Sequence, residues 1–481
     1  MALLAAAGCQ DSYPPPRAPL DSFYYPSGIA LHPLASGHSA LVVVSTDFDL
    51  QYAPDNGGTV IAVDPDDPAT IDSLNPVNGG QLDVLSALNI GSFGGEIAIA
   101  EASCTTSWPT CTAQCPPLNL QGGNGLVVTT SRNDIVVYLM TIDGQGNLTC
   151  GQDCPVALPS NALDPYGVTL VCGSTSTGLA SAYVTELRAY NSEGIFARFD
   201  LNNPGAFDTL DLSSPETYTS GFNPFSGDLF VGTQVGITQP LRWIDPLLLP
   251  SVSVGATFAP QVGQIDLATY FAGSLTLDMA VSNDGTRLFV ALEQLDATLL
   301  AQGALVPQGG LLAVFDLTPD IYGQPGMSLI RSVNSCLGGG QVRVLPPRAN
   351  PDGTNKGDLV ALTCDTQGAL VLYDDDVGKV VSLIGLDAGT GQPLLGRQPF
   401  GLAVEPIDPS RVTVPYQPPS TVSIEFSYPP YPTESPCAGA GQCDRLYVAS
   451  FAQAFVSLVE LDPAHPEQMQ LVKRIGIPSA P

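Results

Sequence analysis

The amino-acid sequence predicts an all-β fold made of many short strands. The chain of 481 residues contains 49 glycines and 44 prolines, and both residue types disrupt the interior of helices. Between them lie short runs rich in valine and leucine, a pattern typical of strands joined by turns. No long segment shows sustained helical periodicity. The hydrophobic content of 44% is sufficient for a sizeable core.

A unit of four apolar runs, a to d, recurs along nearly the whole chain beyond Tyr25. Run a often opens with Pro-x-Gly, and it is clearest as PSGIALHP from Pro26 and as PFGLAVEP from Pro399. We count seven units. The fourth is the weakest, which leaves six or eight open. Because seven antiparallel four-stranded units arranged radially bury both faces of every sheet, we predict a seven-bladed β-propeller over residues 25–481.

The aspartates that end run c are predicted to be structural. An Asp at the start of the turn between runs c and d can accept backbone N–H bonds through its carboxylate. The residues at this position are Asp64, Asp143, Asp200, Asp245, Asp316, Asp374 and Asp462.

The repeated residues resemble those of the YVTN/lactonase-like propeller family. The clearest copies of the pattern are residues 26–64 and 399–462, and NDGTRLFVA at residues 283–291 is similar to the inter-strand turn of that family. The resemblance covers most of the chain and implies the propeller fold. Because some members of the family open lactone rings, the resemblance also implies lactone hydrolysis as an alternative function.

The opening residues, MALLAAAGCQ, resemble the end of a bacterial lipoprotein signal, with Cys9 as the residue that would be lipidated. No basic residue precedes Cys9 and the apolar run is short, so an accidental alanine-rich start is the alternative. The predicted organisation is a signal remnant at residues 1–9, a proline-rich tether at residues 10–24 and the propeller beyond it. We expect a lipid-anchored protein of the bacterial cell envelope, in the periplasm or on the outer membrane.

Ten further cysteines, an even number after an export-like start, predict disulfides in an oxidising compartment. Cys437 and Cys443 flank AGAGQ and form the first predicted pair, and Cys336 with Cys364 forms the second. The others are expected to bond within an insertion and from it to one cysteine outside: Cys104, Cys111 and Cys115 in the insertion, and Cys150, Cys154 or Cys172 outside it. A zinc site is the competing interpretation, but paired CxxC spacing is missing.

The net charge of −30 bears on partners and ions. With three lysines in the chain, nucleic acid and anionic membrane surfaces are not expected as partners. Acidic loops at residues 64–67 and 374–376 could bind calcium, but neither has EF-hand spacing and solvated turns are favoured. No cofactor is otherwise expected.

Polar residues in the b–c loops are candidate ligand contacts, since these loops and the d–a loops open on one face around the central channel of a propeller. The candidates are Asp47, Arg132, Asp134, Glu186, Arg188, Glu293 and Asp365, with Asp49 and Gln234 beside them. Solvated loops would have the same composition, so that interpretation stays open. The three histidines, His32, His38 and His465, are predicted at the surface.

The sequence therefore predicts an exported, membrane-anchored binding or scaffolding module for a protein, peptide or glycan. A lactonase-like hydrolase is the alternative, and it would need a general base and a charge stabiliser. Glu186, Glu293 and Arg188 have suitable side chains, although no motif joins them. A third hypothesis is a structural component of an envelope assembly, with contacts through the insertions at residues 104–115 and 437–443.

Overall fold

A computed structural model describes residues 15–476, except for residues 68–69, 71, 74–81, 103–123, 152–153, 160–163, 173–179, 187–195, 204, 213–216, 234–239, 301–305, 319–325, 349–355, 387–390 and 416–433. Within these ranges, thirty β-strands form seven sheets, each built on four antiparallel strands. The predicted seven-bladed propeller is therefore confirmed, including its weak fourth unit.

The blades follow one another along the chain. Blade 1 contains β1 (Pro26–Pro33), β2 (Ser39–Ser45), β3 (Gly58–Val63) and β4 (Val84–Ile90), and blade 2 contains β5 (Gly94–Glu101), β6 (Gly125–Ser131), β7 (Val136–Ile142), β8 (Leu148–Cys150) and the short β9 (Val156–Ala157). Blade 3 contains β10 (Pro165–Cys172), β11 (Ala180–Glu186), β12 (Phe196–Asp200) and β13 (Phe207–Leu210). Blade 4 contains β14 (Thr217–Phe222), β15 (Leu229–Thr233) and β16 (Pro240–Ile244); β17 (Thr257–Phe258) then joins blade 3, and β18 (Gly263–Asp266) completes blade 4.

The remaining three blades have the same order. Blade 5 contains β19 (Ser274–Val281), β20 (Arg287–Leu295), β21 (Pro307–Asp316) and β22 (Ser328–Asn334). Blade 6 contains β23 (Gly339–Val344), β24 (Leu359–Cys364), β25 (Ala369–Asp374) and β26 (Lys379–Ile384), and blade 7 contains β27 (Pro399–Ile407), β28 (Cys443–Ser450), β29 (Phe455–Leu461) and β30 (Gln470–Gly476). The helical segments of the described chain are α1 (Ala297–Leu300) and 3-10 turns at Pro54–Asn56, Pro246–Leu248, Leu267–Thr269, Pro409–Arg411 and Pro466–Gln468. None of the described helices is long and apolar enough to cross a membrane.

The seven aspartates that end run c have the structural role predicted for them. Each carboxylate accepts the backbone N–H two residues further on, at 2.8–3.0 Å: Asp64, Asp143, Asp200, Asp245, Asp316, Asp374 and Asp462. The repeat is thus a repeat of turn chemistry as well as of strands.

The first strand of each blade lies innermost, and these seven strands form a closed ring around the central channel. The ring closes by packing of blade 7 against blade 1. Among the described residues each of these two blades takes all four of its strands from its own stretch of sequence, and a single β-bridge, Asp72 to Ile475, joins them. Leu31 and Val43 of blade 1 share a core with Tyr447 and Val456 of blade 7. Burial of these side chains is the hydrophobic part of the closure.

A buried ionic cluster, which we call the closure seam, adds a polar part: Asp66, Glu405, Arg411, Arg445 and Glu460. Arg445 donates to Asp66 at 2.7 Å and, through two nitrogens, to Glu460 at 2.9 and 3.2 Å. Arg411 donates to Asp66 at 2.8 Å and to Glu405 at 3.1 Å. Burial opposes ionisation of Asp66, but Arg445 and Arg411 hold its pKa below the usual value. Asp66 belongs to blade 1 and the other four residues to blade 7, so the cluster joins the ends of the ring.

Each innermost strand carries a register shift near its start. The three residues around each shift form what we call a bulge triplet: residues 26–28, 94–96, 165–167, 217–219, 276–278, 339–341 and 399–401. A β-bulge bends the strand and redirects the side chains beside it. Three triplets begin with proline, which has no N–H for the ladder. The triplets therefore decide what points into the channel.

Three disulfides lie among the described residues. Cys437–Cys443 and Cys336–Cys364 are the two predicted pairs, with Cα–Cα separations of 5.4 and 5.8 Å. Cys150 bonds to Cys154, and Cys172 is also disulfide-bonded. Cys104, Cys111 and Cys115 lie outside the described residues, as does Cys9.

The described end of the predicted tether lies against blade 1. The backbone N–H of Ala18 donates to the carbonyl of Asn56 at 3.1 Å, and the N–H of Ala53 donates to the carbonyl of Pro16 at 2.9 Å. Ala18 and Phe23 are buried. The chain is thus fixed to the b–c loop of blade 1 before its first strand begins.

Candidate functional site

The channel contains a ring of polar side chains at one level, which we call the polar layer: Glu96, Thr219, Asp278 and Gln341. They are the third residues of the bulge triplets of blades 2, 4, 5 and 6. The same position is glycine in blades 1, 3 and 7, at Gly28, Gly167 and Gly401. A Cβ atom on Gly28 would lie 2.9 Å from the carbonyl oxygen of Gly95, and one on Gly167 would lie 3.2 Å from that of Tyr218. Glycine is favoured at these two positions because the neighbouring innermost strand approaches too closely for a side chain.

A hydrogen bond crosses the channel within this layer. The amide nitrogen of Gln341 donates to Glu96 Oε1 at 2.9 Å, and its amide oxygen accepts from the backbone N–H of Leu402 at 2.7 Å. The other carboxylate oxygen of Glu96 has a long contact of 3.4 Å with the N–H of Val168. Since a carboxylate offers about four lone-pair sites, Glu96 retains accepting capacity.

Asp278 is more completely bonded than Glu96. It accepts from the Thr219 hydroxyl at 2.9 Å, from the backbone N–H of Val342 at 2.8 Å and from Arg343 Nη1 at 2.9 Å. Arg343 thus forms a salt bridge with Asp278. The Arg343 charge is committed to Asp278, and Glu96 lacks a direct cationic partner among the described residues.

Burial raises the pKa of Glu96 to about 7, and the charge of Asp278 acts in the same direction. Arg343, the Gln341 amide and the Val168 N–H oppose this shift without cancelling it. Glu96 lies deep in the molecule but faces a cavity, so part of its surface contacts open space. Its carboxyl group is therefore close to half-protonated near neutral pH.

The cavity beside the polar layer encloses about 470 Å³. Its walls are mainly aliphatic side chains of the innermost strands, such as Ile29, Leu31, Ile97 and Val404. It extends along these strands to Glu101, which ends β5, and to Phe225 and Asn283 in the a–b turns of blades 4 and 5. The cavity has a charged floor and apolar walls, an arrangement typical of small-molecule sites.

His32 contacts Glu101 and is fully buried, so its predicted surface position was wrong. Its Nδ1 is 3.0 Å from Glu101 Oε1, and its Nε2 is 3.0 Å from the carbonyl oxygen of Asp143. Because both ring nitrogens face acceptors, His32 and Glu101 hold two protons between them. Burial raises the pKa of Glu101, and the His32 contact opposes this.

Aromatic rings fill the channel on the other side of the polar layer. Tyr166 stacks on Tyr218 with centroids 6.1 Å apart and meets Phe400 edge-on at 6.0 Å. These are the second residues of the bulge triplets of blades 3, 4 and 7. The hydroxyl of Tyr166 is buried and has no hydrogen-bond partner among the described residues. The rings separate the cavity from the face where the b–c loops lie.

A second aromatic group lies on that face, and we call it the mouth cluster: Tyr25, Phe48, Phe93 and Phe451. Neighbouring ring centroids are 5.3–6.3 Å apart. Tyr25 and Phe93 have left-handed backbones, with φ of 42° and 58°. Bulky side chains rarely adopt this conformation, and such strain is concentrated at functional sites. Phe48 is 57% exposed.

The predicted loop residues of blades 1 and 2 lie around the mouth cluster. Asp47 is buried and accepts the backbone N–H groups of Gln51 and Tyr52, so it shapes its own loop. Arg132 forms a salt bridge with Asp164 at 3.0 Å, and its guanidinium lies 5.8 Å from the centre of the Phe93 ring. Asp134 accepts from the Asn133 amide, and Asp49 accepts from the Tyr25 hydroxyl.

The other predicted residues lie in blades 3, 5 and 6. Glu186 is buried at the end of β11. Glu293 lies within β20, not in the loop where it was predicted, because that strand extends to Leu295. Burial raises the pKa of Glu293 to about 7, and the charge of Asp365 adds to the effect. Burial also raises the pKa of Asp365 itself. Arg188 and Gln234 lie outside the described residues.

The two acidic loops considered for calcium bind protein groups. Asp64 contacts His38 Nδ1 at 2.9 Å, and Asp66 belongs to the closure seam. In the other loop, Asp374 accepts two bonds from Arg348, both at 3.1 Å. Asp66 and Asp374 thus have arginine partners from the chain itself, and Asp64 is paired with His38.

Sequence analysis missed Glu96, Asp278, Gln341 and Arg343, although a signal for the first three existed. The Pro-x-Gly opening of run a has a polar residue in place of glycine in the corresponding units, GGE, TLD and GGQ. None of the predicted loop residues that the structure describes lines the cavity.

No family model matches the chain, and no curated protein matches it. Among solved structures, hydrazine synthase of Kuenenia stuttgartiensis is similar with a TM-score of 0.46 and 11% identity, over 92% of this chain and 96% of that chain. A proposed 6-phosphogluconolactonase of Bacteroides uniformis has a TM-score of 0.40 and 13% identity, over 72% and 80%. Hsv2 of Kluyveromyces lactis has a TM-score of 0.42 and 11% identity, over 94% and 99%. These similarities carry no information on activity, and the propeller assignment rests on strand pairing.

Proposed function

We propose that this propeller is a binding module that engages a protein or peptide partner through the mouth cluster. The observation that carries the proposal is an exposed Phe48 in contact with Tyr25 and Phe93, two aromatic residues on strained backbones. Aromatic side chains at the centre of a surface patch are typical anchors of protein interfaces. The cost of the strained conformations is accounted for if they present rings to a partner.

The partner segment should carry basic and apolar side chains. The chain has a net charge of −30, Asp49 accepts a hydrogen bond from Tyr25 of the mouth cluster, and Asp134 lies in the b–c loop of blade 2 on the same face. Complementary charge accelerates encounter and disfavours acidic partners. Lysine or arginine side chains can also bind over exposed aromatic faces.

Two properties favour binding over lactone hydrolysis at this mouth. Aromatic rings lie in the channel below it, and the two carboxylates that act on one another near them, Glu293 and Asp365, form no salt bridge with a described arginine. The one arginine described among the predicted residues, Arg132, is already paired with Asp164. A glycan, which would stack on the same rings, is the other possible ligand class.

A pair of matched variants tests the proposal. Phe48→Ser should weaken binding of a peptide with alternating lysine and leucine roughly ten-fold, because an interface anchor is lost. Val377→Ser, which removes a similarly exposed apolar side chain in the c–d turn of blade 6 on the opposite face (56% exposed), should leave binding unchanged. Fluorescence anisotropy would compare this peptide with a glutamate–leucine peptide and a neutral oligosaccharide. Equal losses of peptide affinity in both variants would contradict the proposal. Binding of the oligosaccharide and of neither peptide would show that the mouth cluster binds glycans instead.

We further propose that the propeller is held at the cell envelope by a lipid on Cys9. The lipoprotein-like sequence before Cys9 supports this, and the disulfides fit an oxidising compartment. Wild-type protein expressed in a bacterium should partition into detergent, and Cys9→Ser should partition into the aqueous phase. Equal partitioning of the two proteins would refute the anchor.

A further inference from the structure

We propose that the central cavity binds a small amphipathic cation: a primary amine on a short hydrocarbon chain, with the ammonium group at Glu96. This site is separate from the mouth cluster, because the rings of Tyr166, Tyr218 and Phe400 lie between them. It would accept its ligand from the opposite face, where Phe225 and Asn283 border the cavity.

The first step of the argument is the incomplete bonding of Glu96. One of its oxygens accepts from Gln341 at 2.9 Å, and the other has a contact of 3.4 Å with a backbone N–H. A buried carboxylate needs several donors or a cation to remain ionised. An ammonium group supplies three donors and a charge, and so completes the set.

The second step is that the described residues do not supply that cation. Arg343 is the cation beside the polar layer, and it bonds to Asp278 and to the carbonyl of Val342. Asp278 also accepts hydrogen bonds from the Thr219 hydroxyl and a backbone N–H, which hold its carboxylate in place. Arg343 could turn to Glu96 only by breaking its own bond to Asp278. The polar layer thus carries one carboxylate more than its arginine can balance.

The third step is the shape and polarity of the cavity. A volume of about 470 Å³ extends from Glu96 toward Glu101 along β5. A strand rises about 3.3 Å per residue, so the five steps from Glu96 to Glu101 give aliphatic walls roughly 16 Å long. This length suits an extended alkyl chain, and burial of its surface contributes about 0.8 kcal/mol per CH₂.

Proton release follows from the same geometry. The charged and titratable groups that face Glu96 are Asp278 on β19 and Arg343 on β23, across the channel, and Tyr166 and Tyr218 above the layer. Because the pKa of Glu96 is about 7, its carboxyl group is protonated in much of the ligand-free protein at pH 6. Binding of an ammonium group would ionise Glu96, so a proton must leave for solvent.

Isothermal titration calorimetry of the full chain with hexylamine, hexanol and hexanoate tests the site. At pH 8 hexylamine should bind at least ten-fold more tightly than hexanol, and hexanoate should bind least. At pH 6, titrations in buffers of different ionisation enthalpy should show release of a proton with hexylamine and none with hexanol. Equal affinities for hexylamine and hexanol, or no binding of hexylamine, would overturn the proposal.

Variants assign the effect to Glu96. Glu96→Gln should weaken hexylamine at least ten-fold, abolish proton release and leave hexanol unchanged. Glu293→Gln is the matched control, since Glu293 has a similarly raised pKa but does not line the cavity, and it should leave both ligands unchanged. Ala98→Phe, which fills the cavity, should weaken both ligands. Undiminished hexylamine binding by a folded Glu96→Gln protein, or equal losses in Glu96→Gln and Glu293→Gln, would refute the assignment.

Discussion

The closure seam and the polar layer both bury charged side chains, but they bond them to different extents. In the seam, Arg445 is fully buried and distributes its N–H groups over Asp66, Glu460 and the carbonyl of Arg411. In the polar layer, Glu96 has one good hydrogen bond and faces a cavity. The charged groups of the seam are bonded to one another, whereas Glu96 in the polar layer can still accept hydrogen bonds from a ligand.

This difference separates a structural role from a binding role. A buried ion pair contributes to a fold when its remaining donors and acceptors are satisfied, as those of Arg445 are. A buried polar group whose hydrogen-bonding capacity is not filled destabilises the fold until a ligand bonds to it. The direction of the pKa shift reports the same distinction: the pKa of Asp66 is lowered, and that of Glu96 is raised.

Arg445→Ala should break the seam and produce the largest effect. It leaves Glu460 buried without its arginine partner and leaves Asp66 with Arg411 alone, so the free energy of unfolding should fall by about 3–5 kcal/mol. Urea denaturation at pH 7 measures the change. Arg287→Ala is the control, because Arg287 pairs with Asp316 near the surface, where the loss should be about 0–1 kcal/mol. Comparable losses in the two variants would mean that the seam is not a structural element.

Glu96→Gln should raise the free energy of unfolding, the opposite of Arg445→Ala, and the size of the increase should depend on pH. The raised pKa of Glu96 means that its ionised form is disfavoured in the folded state, so wild-type stability should fall as pH rises from about 4.5 to 7. The variant should therefore be more stable than wild type at pH 8, by at most about 3 kcal/mol before allowance for water in the cavity, and equal to it at pH 4. Thermal unfolding at both pH values tests this, and a constant difference would argue against it.

Asp66 should respond to pH in the reverse direction. Its pKa is lowered, so the stability that it contributes is present above about pH 4 and is lost as pH falls through its folded value. Arg445→Ala should reduce that acid sensitivity, and Arg411, which also bonds to Asp66, should preserve part of it. The two clusters are thus expected to dominate opposite ends of the pH profile of unfolding.

Gln341→Leu should give the smallest of these effects. It removes the one good donor to Glu96, so the pKa of Glu96 should rise further and stability at pH 8 should fall by about 1 kcal/mol. At pH 5, where Glu96 is protonated, the loss should be smaller. Nuclear magnetic resonance titration of the Glu96 side chain would measure the pKa directly. A lowered pKa would contradict the role assigned to Gln341.

The fold could be predicted from the sequence because its signals are local. Run c ends in an Asp that bonds two residues further on, and this contact needs no partner from another blade. One of the two confirmed disulfides was predictable for a similar reason. Cys437 and Cys443 are six residues apart, so their pairing follows from proximity.

The site could be predicted less well because it depends on contacts between blades. Glu293 was placed in a loop, since the length of β20 is set by pairing with β21 and not by its own residues. His32 is buried by a carboxylate from the next blade and a carbonyl from residue 143. Glu96 and Gln341 meet across a channel although they are 245 positions apart in sequence. Register shifts bring such residues together, and they leave a weak mark in the sequence.

The continuous blades also set an order for folding during synthesis. Asp66 and the core residues of blade 1 emerge from the ribosome first, but their partners Arg445, Tyr447 and Val456 are translated last. Until then one side of the first sheet has nothing to cover it, and it exposes a flat apolar surface that is prone to aggregation. A chaperone or translocation factor that acts on the nascent protein would therefore be needed chiefly at that sheet. A protein truncated before blade 7 would form an incomplete ring, with an uncovered apolar sheet face at each end.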